Sequence, residues 1–162
     1  MPKHTLFQQR RSLLGCAFAF LSVGVQAHTT ALPTVEVWKT PTCGCCKLWV
    51  KHLEREGFTV KVYDVPQTAL IRAKLGMPEN MGSCHTATVA GLVLEGHVPA
   101  REVRRLLTES AAFKAQVVGL SVPAMPIGSP GMEQGSRRDP YSVMLVNKNG
   151  TSRVYQTYSS IS

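Results

Sequence analysis

The hydrophobic pattern after residue 33 begins with two clear periodicities. Residues 34–39 (TVEVWK) place apolar side chains at alternate positions, which predicts a strand. A helical face follows, made of four residues at the spacing i, i+3, i+4 and i+7: Cys46, Trp49, Val50 and Leu53. Gly57 stands where a helix commonly ends. The pattern therefore predicts a strand followed by a helix.

A second strand and a short helix follow directly. Residues 58–64 alternate again and predict a strand that ends at Asp64. Residues 68–75 predict a short helix that stops at Gly76. A strand, a helix and a strand in this order form a β-α-β unit, in which the crossover is right-handed and the strands are parallel.

The next part of the chain predicts one strand, one helix and one long loop. The strand covers residues 86–94, and Pro99 suits the first turn of a helix whose apolar face includes Val103 and Leu106. Residues 121–140 hold four prolines and three glycines and show no periodicity. A loop of this length inside a compact domain is commonly functional.

The chain finishes with the signal of a β-hairpin. Residues 141–147 and 151–158 form two alternating runs, and the pair Asn149-Gly150 lies between them. Asn-Gly between alternating runs favours a tight two-residue turn. We therefore expect an antiparallel strand pair at the C-terminus.

This order of elements is typical of a thioredoxin-like domain, an α/β fold with a mixed sheet and here a C-terminal β-hairpin. We expect residues 28–162 to form one such domain. In that fold the cysteines lie where the first strand meets the first helix. A proline-bearing loop faces them, often through a cis bond to proline. Val122-Pro123 and Met125-Pro126 are the candidates for that bond.

Residues 1–27 have the layout of a secretory signal peptide. Three basic residues precede an almost unbroken apolar run at 12–25, and Val25-Gln26-Ala27 supplies the small-residue cleavage pattern. The run is too short for a membrane-spanning helix. Arg10-Arg11 resembles a twin-arginine signal, but we expect the general secretory route. A lipoprotein box ending at Cys16 is disfavoured because the apolar run continues beyond it.

The charge of the mature chain excludes one class of partner. Removal of residues 1–27 lowers the formal charge from +8 to +5, because it takes away three basic residues and no acidic ones. The remaining basic residues form no long run and do not alternate with aromatic residues, so a nucleic-acid partner is not expected. No second long apolar segment follows, so no membrane contact is expected after signal removal. We expect the protein in the bacterial periplasm.

Four cysteines remain after the signal peptide: Cys43, Cys45, Cys46 and Cys84. In an oxidising compartment an even number allows two structural disulfides. Cys43 and Cys46 also have the Cys-x-x-Cys spacing of dithiol oxidoreductases, although Cys45 would divert a clean exchange cycle. Metal binding is the third interpretation, and it is the one for which three crowded thiols are an advantage.

Thiol crowding at a helix start favours copper over zinc. The positive end of the helix dipole stabilises thiolates there. Cys45 and Cys46 are adjacent and point in different directions, which suits bridging ligands of a cluster better than one closed tetrahedron. Soft thiolates favour Cu(I). Several Cu(I) ions also neutralise four thiolates more completely than one Zn²⁺, and neutrality tolerates burial.

A second segment holds further candidate ligands. Cys84 and His85 are adjacent, and Met81 precedes them, although core packing is the alternative for a methionine. His97, in a Gly-His-Val-Pro turn, is interpreted as a group that caps a helix or hydrogen-bonds beside a ligand. Met125 on the long loop is a candidate cap of the site.

Four motifs follow one another in the chain: TPTCGCC at 40–46, SCHTA at 83–87, GHVPA at 96–100 and VPAMPIGSPGME at 122–133. With these motifs residues 34–158 resemble the CopG-like family, bacterial periplasmic copper-resistance proteins long catalogued as a domain of unknown function. The resemblance implies a thioredoxin-like fold. It also implies Cu(I) ligation by Cys43, Cys45, Cys46 and Cys84. Ala124 departs from a common glycine, and we expect it to tighten the loop without touching a ligand.

The leading hypothesis is a periplasmic copper-binding protein for copper resistance that holds several Cu(I) ions in a cysteine-thiolate site. Coupling to Cu(II)/Cu(I) redox chemistry is an extension of it. A non-enzymatic role is favoured, with a copper-linked oxidoreductase as the alternative. The alternative is a thiol–disulfide oxidoreductase that uses Cys43 and Cys46. Copper ions are the expected partners, together with periplasmic copper-export or copper-handling proteins.

Overall fold

The computed structural model describes Met1 and residues 31–160, and the statements below concern these residues. The predicted signal peptide at 1–27 lies outside the described residues apart from Met1, so it stays a prediction. Within residues 31–160 no helix has both the length and the apolar character that a membrane crossing requires.

The described chain forms a mixed α/β arrangement. The strands are β1 (Val35–Lys39), β2 (Val60–Asp64), β3 (His85–Val89), β4 (Leu92–Glu95), β5 (Val117–Ser121), β6 (Tyr141–Asn147) and β7 (Ser152–Tyr158). The helices are α1 (Gly44–Arg55), α2 (Ala69–Lys74), α3 (Ala100–Thr108) and α4 (Ala111–Gln116), and a 3-10 turn covers Glu79–Met81.

All seven strands belong to one mixed sheet in the order β2-β1-β3-β4-β5-β6-β7. β1 pairs with β2 in parallel, and β4 pairs with β5 in parallel. The other neighbours are antiparallel. The predicted β-α-β unit, the mixed sheet and the C-terminal hairpin are confirmed. The thioredoxin-like assignment stays a prediction.

The prediction of one strand over residues 86–94 is wrong. The chain reverses at Ala90-Gly91, where φ is 48° and 78°, and β3 and β4 pair as a hairpin. Two residues with positive φ form the tight turn that matches strand twist. Ala-Gly is a weaker turn signal than Asn-Gly because alanine seldom adopts positive φ, so the apolar run looks continuous in the sequence.

The expected cis bond to proline is also wrong. Every peptide bond among the described residues is trans, including those at Val122-Pro123 and Met125-Pro126. The loop that holds these prolines still reaches the cysteine region, but it does so through backbone hydrogen bonds and a glycine contact described below.

The main core lies on the face of the sheet covered by α1 and α3. Trp49 and Leu53 of α1 pack in one cluster with Val103 and Leu106 of α3 and with alternate strand residues such as Leu94. Because successive side chains of a strand point to opposite faces, one sheet face supplies this cluster. The core therefore fixes α1, and with it the first cysteine motif, against the sheet.

Candidate metal centre

Four chain segments meet at one end of the sheet because of the strand directions. β3 is antiparallel to β1 and pairs His85 with Lys39, so the start of β3 lies beside the end of β1. β4 pairs Glu95 with Thr86 of β3, and the parallel strand β5 pairs Ser121 with Glu95. The segments after β1, β4 and β5 and the segment before β3 therefore leave the sheet at the same end. These segments carry the four motifs quoted above.

The first helix presents three cysteines at its N-terminus. Cys43 is the residue that precedes α1, and Cys45 and Cys46 lie in the first turn after Gly44. Cys46 is buried, whereas Cys43 and Cys45 are half-buried. Cys43 and Cys46 are joined by a disulfide, with Cα atoms 5.4 Å apart. Cys45 and Cys84 are free thiols.

The sulfur of Cys84 completes a group of four. It lies 3.5 Å from the sulfur of Cys46 and 3.8 Å from that of Cys45. The sulfurs of Cys43 and Cys45 are 3.5 Å apart. All four Sγ atoms lie within 4.8 Å of one another. A metal–sulfur bond is about 2.3 Å long, so neighbouring sulfurs at these separations are within reach of a shared ion.

His97 contacts Cys84 from the side of the long loop. Its Nδ1 lies 2.8 Å from the carbonyl oxygen of Pro130, and its Nε2 lies 3.1 Å from Cys84 Sγ. Burial lowers the pKa of His97, so the ring is neutral at neutral pH. A carbonyl oxygen only accepts, so Nδ1 carries the hydrogen and Nε2 directs a lone pair at Cys84, whose S–H donates to it.

His85 contacts Cys84 from the side of the sheet. Its Nδ1 lies 3.3 Å from Cys84 Sγ. The ring packs between Trp49 and His97, with ring centroids 4.3 Å and 5.1 Å away. Full burial, and then the neighbouring His97, holds the pKa of His85 well below its ordinary value. The Nε2 atom has no hydrogen-bond partner among the described residues. Ligation by His85 stays a prediction, and so does the role of His97 as a hydrogen-bonding group beside a ligand.

The environment of Cys84 favours its neutral form. Burial, followed by the proximity of Cys45, raises the pKa of the Cys84 thiol to about 12. In the absence of a cation Cys84 therefore keeps its proton at neutral pH. A soft metal ion that binds there must displace this proton.

The long loop closes the site from the outside. The backbone of Gly131 has φ of 85°, and a Cβ added there would lie 2.7 Å from Trp49 N and 2.9 Å from Cys45 O. Only glycine allows this approach without a shift of the helix. The loop therefore rests on the first turn of α1, while the carbonyl of Pro130 holds His97.

The same loop also docks on the segment that precedes Cys84. The N–H of Ala124 donates to the carbonyl of Gly82 at 3.0 Å, and the Ser83 hydroxyl donates to the carbonyl of Ala124. Ala124 adopts φ of 61°, in the left-handed region that favours glycine. Alanine at this position therefore carries a conformational cost, beyond the expected tightening of the loop.

The two methionines predicted as additional ligands lie in different surroundings. Met81 packs against the small hydrophobic cluster of Met77 and Val93. Because Val93 alternates with the main-core residue Leu94, this cluster is on the opposite face of the sheet. Met125 is half exposed and lines a surface cavity of about 410 Å³ together with other residues of the loop and of β6. The role of Met81 as a ligand and that of Met125 as a cap of the site stay predictions.

Sequence patterns missed two groups of residues around the site. His52 Nε2 accepts from the N–H of Ala100 at 3.1 Å at the start of α3, and Trp49 Nε1 donates to Val98 O at 2.9 Å. These bonds tie α1 to the segment that carries His97. The second group is the buried ion pair of Arg72 and Glu95, which lies next to Cys84. Its one signal in the sequence is that Glu95, an acidic residue, ends the apolar strand LVLE.

The chain is similar to one protein-family model and to two solved structures. Residues 81–132 match a family model described as a protein of unknown function, DUF411. Two solved structures, described as copper resistance protein copG in Form 2 and Form 1, are each 41% identical to the chain with a TM-score of 0.73. The match covers 78% of this chain and 98% of Form 2, and 79% of this chain and 98% of Form 1. No curated protein matches the chain significantly.

The solved relatives align over almost their whole length. With 41% identity over 98% of each solved relative, the chain belongs to the CopG family of copper resistance proteins.

Proposed function

We propose that this protein binds copper as Cu(I) through Cys43, Cys45, Cys46 and Cys84 and serves copper resistance in the periplasm. The observation that carries the proposal is the convergence of four sulfurs within 4.8 Å of one another from two distant segments. The two solved relatives are described as copper resistance proteins, which supports it. The predicted signal peptide supports the location.

The donor set favours several Cu(I) ions over one harder ion. Cys45 is at hydrogen-bonding distance from the sulfurs of both Cys43 and Cys84, so it is placed to bridge two ions. Thiolates are soft ligands and select Cu(I). Cys46 is buried and the other three cysteines are partly buried, and a cluster whose ionic charges balance tolerates such burial.

Full occupation of the site requires reduced cysteines. The sulfurs of Cys43 and Cys46 are not thiolates while they are bonded to each other. Two equivalents of an external thiol must therefore reduce this disulfide before full loading, which yields the free thiols of Cys43 and Cys46 and one external disulfide. The reverse direction couples the site to copper redox chemistry: two thiols and two Cu(II) ions yield one disulfide, two Cu(I) ions and two protons.

Anaerobic titration of the reduced protein with Cu(I) tests the proposal. We expect saturation at more than one Cu(I) per chain and retention of copper in the presence of zinc. Saturation at zero, or displacement of copper by zinc, would overturn the proposal. Elemental analysis of protein isolated from the periplasm provides the matching observation in the cell, with copper expected above one ion per chain.

A second candidate function is favoured by one observation, the disulfide between Cys43 and Cys46 at the start of α1. This is the arrangement of a thiol–disulfide oxidoreductase, in which the helix dipole stabilises the attacking thiolate. Insulin reduction that needs Cys46 but survives Cys45→Ser and Cys84→Ser would favour this function. Loss of copper binding in the same two variants would favour the copper site.

A further inference from the structure

A buried ion pair holds the peptide segment that ends in Cys84. Arg72 of α2 donates from Nε to Glu95 Oε1 at 2.8 Å. Glu95, the last residue of β4, is fully buried, and the side chain of Arg72 is 12% exposed. Arg72 lies in α2 and Glu95 in β4, and both lie outside the cysteine-containing motifs at 40–46 and 83–87. The pair therefore lies outside the ligand set proposed above.

Both charged groups reach the backbone of Ser83. The N–H of Ser83 donates to Glu95 Oε1 at 2.8 Å, and the guanidinium of Arg72 donates to the carbonyl oxygen of Ser83 at 2.7 Å. Ser83 lies between the 3-10 turn and β3, where no strand ladder satisfies its backbone groups. The ion pair thus supplies both main-chain hydrogen bonds of the residue before Cys84.

The close packing around Ser83 restricts its position from the other sides. A Cβ at Gly82 would lie 2.9 Å from Arg72 Nη1, and a Cβ at Gly96 would lie 2.5 Å from the side chain of Ser83. Thr86 donates to the second carboxylate oxygen of Glu95 at 2.7 Å. The carboxylate therefore has a fixed orientation on both oxygens.

A contribution to stability alone is a weak explanation for such a pair. Buried ion pairs commonly contribute no more stability than apolar residues of the same shape, because both charges must be desolvated. Apolar replacements would, however, leave the N–H and the carbonyl of Ser83 without partners. What the ionic groups supply uniquely is a fixed backbone position for Ser83, the residue that directly precedes Cys84 and its sulfur.

We infer that Arg72 and Glu95 are positioning residues of the copper site, which hold Cys84 at bridging distance from Cys45 and Cys46. The inference rests on the proposed function, since it assigns the pair to the same Cu(I) site. Ligand-supporting groups of this kind commonly change metal affinity by about 10- to 100-fold. They act here through the peptide of Ser83 and touch no metal.

Two substitutions and one matched control test the inference. Glu95→Gln removes the charge while it keeps the shape, and Arg72→Lys keeps the charge but cannot contact Glu95 and Ser83 together. The control is Glu102→Gln. Glu102 is an equally buried carboxylate in an ion pair, but its partners are the side chains of Arg101, Arg105 and Tyr158.

Cu(I) affinity is measured on reduced full-length protein by competition with a colorimetric Cu(I) chelator, together with the thiolate-to-copper absorption band. Both variants of the Arg72–Glu95 pair are expected to bind about 10- to 100-fold more weakly and to show an altered band. Glu102→Gln is expected to match the wild type in Cu(I) affinity and in the absorption band, even if its thermal midpoint falls. Wild-type affinity and spectrum in both Glu95→Gln and Arg72→Lys would overturn the inference.

A measurement without copper separates this inference from the proposed function. In a Cys43→Ser/Cys45→Ser background, Cys46 and Cys84 are placed to form a disulfide, and its equilibrium with glutathione is followed on the linked peptides by mass spectrometry. Glu95→Gln is expected to shift this equilibrium toward the thiols, and Glu102→Gln is not. An unchanged equilibrium in Glu95→Gln would overturn the positioning role. The expected shift in Glu95→Gln, together with a wild-type protein that binds no copper, would overturn only the proposed function.

Discussion

The sulfur of Cys84 lies 3.5 Å from the sulfur of Cys46, although 38 positions separate the two residues. The contact joins the start of α1 to the start of β3, so a ligand bound between the two sulfurs links both segments. Because Cys84 is held from three sides, by His85, by His97 and by the peptide of Ser83, it is the residue through which most changes around the site should act.

Cys84→Ser should lose most of the bound Cu(I), because three thiolates at one helix end cannot enclose several ions. A ligand that binds only the folded state stabilises it by about 2.7 kcal/mol at a concentration 100-fold above Kd. Copper should therefore raise the thermal midpoint of the wild type by roughly 5–10 °C and that of Cys84→Ser much less. Calorimetry with and without Cu(I) measures both. Equal stabilisation of the two proteins would show that Cys84 is a bystander.

The two contacts of His97 can be separated by a pair of substitutions. His97→Asn keeps a donor near the position of Nδ1 and should retain the bond to Pro130, but it loses the contact with Cys84. His97→Gln places its amide near Nε2 and should do the reverse. We expect weaker Cu(I) binding in the first variant and faster amide hydrogen exchange around Gly131 in the second. The same Cu(I) affinity in both variants would contradict the assigned division of roles.

The metal-free protein should lose stability on acidification. Burial lowers the pKa of both His85 and His97 in the folded state. The unfolded chain therefore takes up more protons below its histidine pKa of about 6.5, and the stability present above that pH is lost as the pH falls. Each histidine can contribute up to about 1.4 kcal/mol per pH unit. Urea titrations at pH 7.5, 6.5 and 5.5 measure the slope.

The control for this pH dependence is His85→Leu. It removes one buried group that must stay neutral, so the loss of stability between pH 6.5 and 5.5 should be smaller than in the wild type. The comparison uses the slope and not the absolute stability, because the loss of the contact with Cys84 alters the latter. An unchanged slope would show that His85 does not titrate differently in the folded and unfolded states.

Ala124→Gly should stabilise the protein. Ala124 has φ of 61°, a conformation that costs alanine about 1–2 kcal/mol, and the greater entropy of glycine in the unfolded chain offsets part of the gain. We expect a net increase of roughly 0.5–1 kcal/mol in the free energy of unfolding. Ala112→Gly, at an exposed position of α4, is the matched control and should be destabilising by about the same amount. Destabilisation by Ala124→Gly would contradict the assigned strain.

Local sequence determined the elements that carry the first half of the site. The i, i+3, i+4, i+7 spacing from Cys46 to Leu53 predicts the buried face of α1, because helical periodicity is a property of neighbouring residues. The same locality explains the cysteine cluster at the helix start. It also explains the C-terminal hairpin, where Asn149-Gly150 specifies the turn. Where the local signal was weak, as at Ala90-Gly91, the prediction failed.

Only the tertiary structure decided which distant groups surround the sulfurs. The antiparallel pairing of β1 with β3 brings Cys84 to α1, and that register depends on the packing of the whole sheet rather than on residues near Cys84. Arg72 and Glu95 carried no motif, because their role depends on two hydrogen bonds to the peptide of Ser83 that exist only after folding. When a side chain acts through the backbone of another segment, no recognisable motif spacing connects the two in the sequence. Only three-dimensional contact decides which backbone it meets.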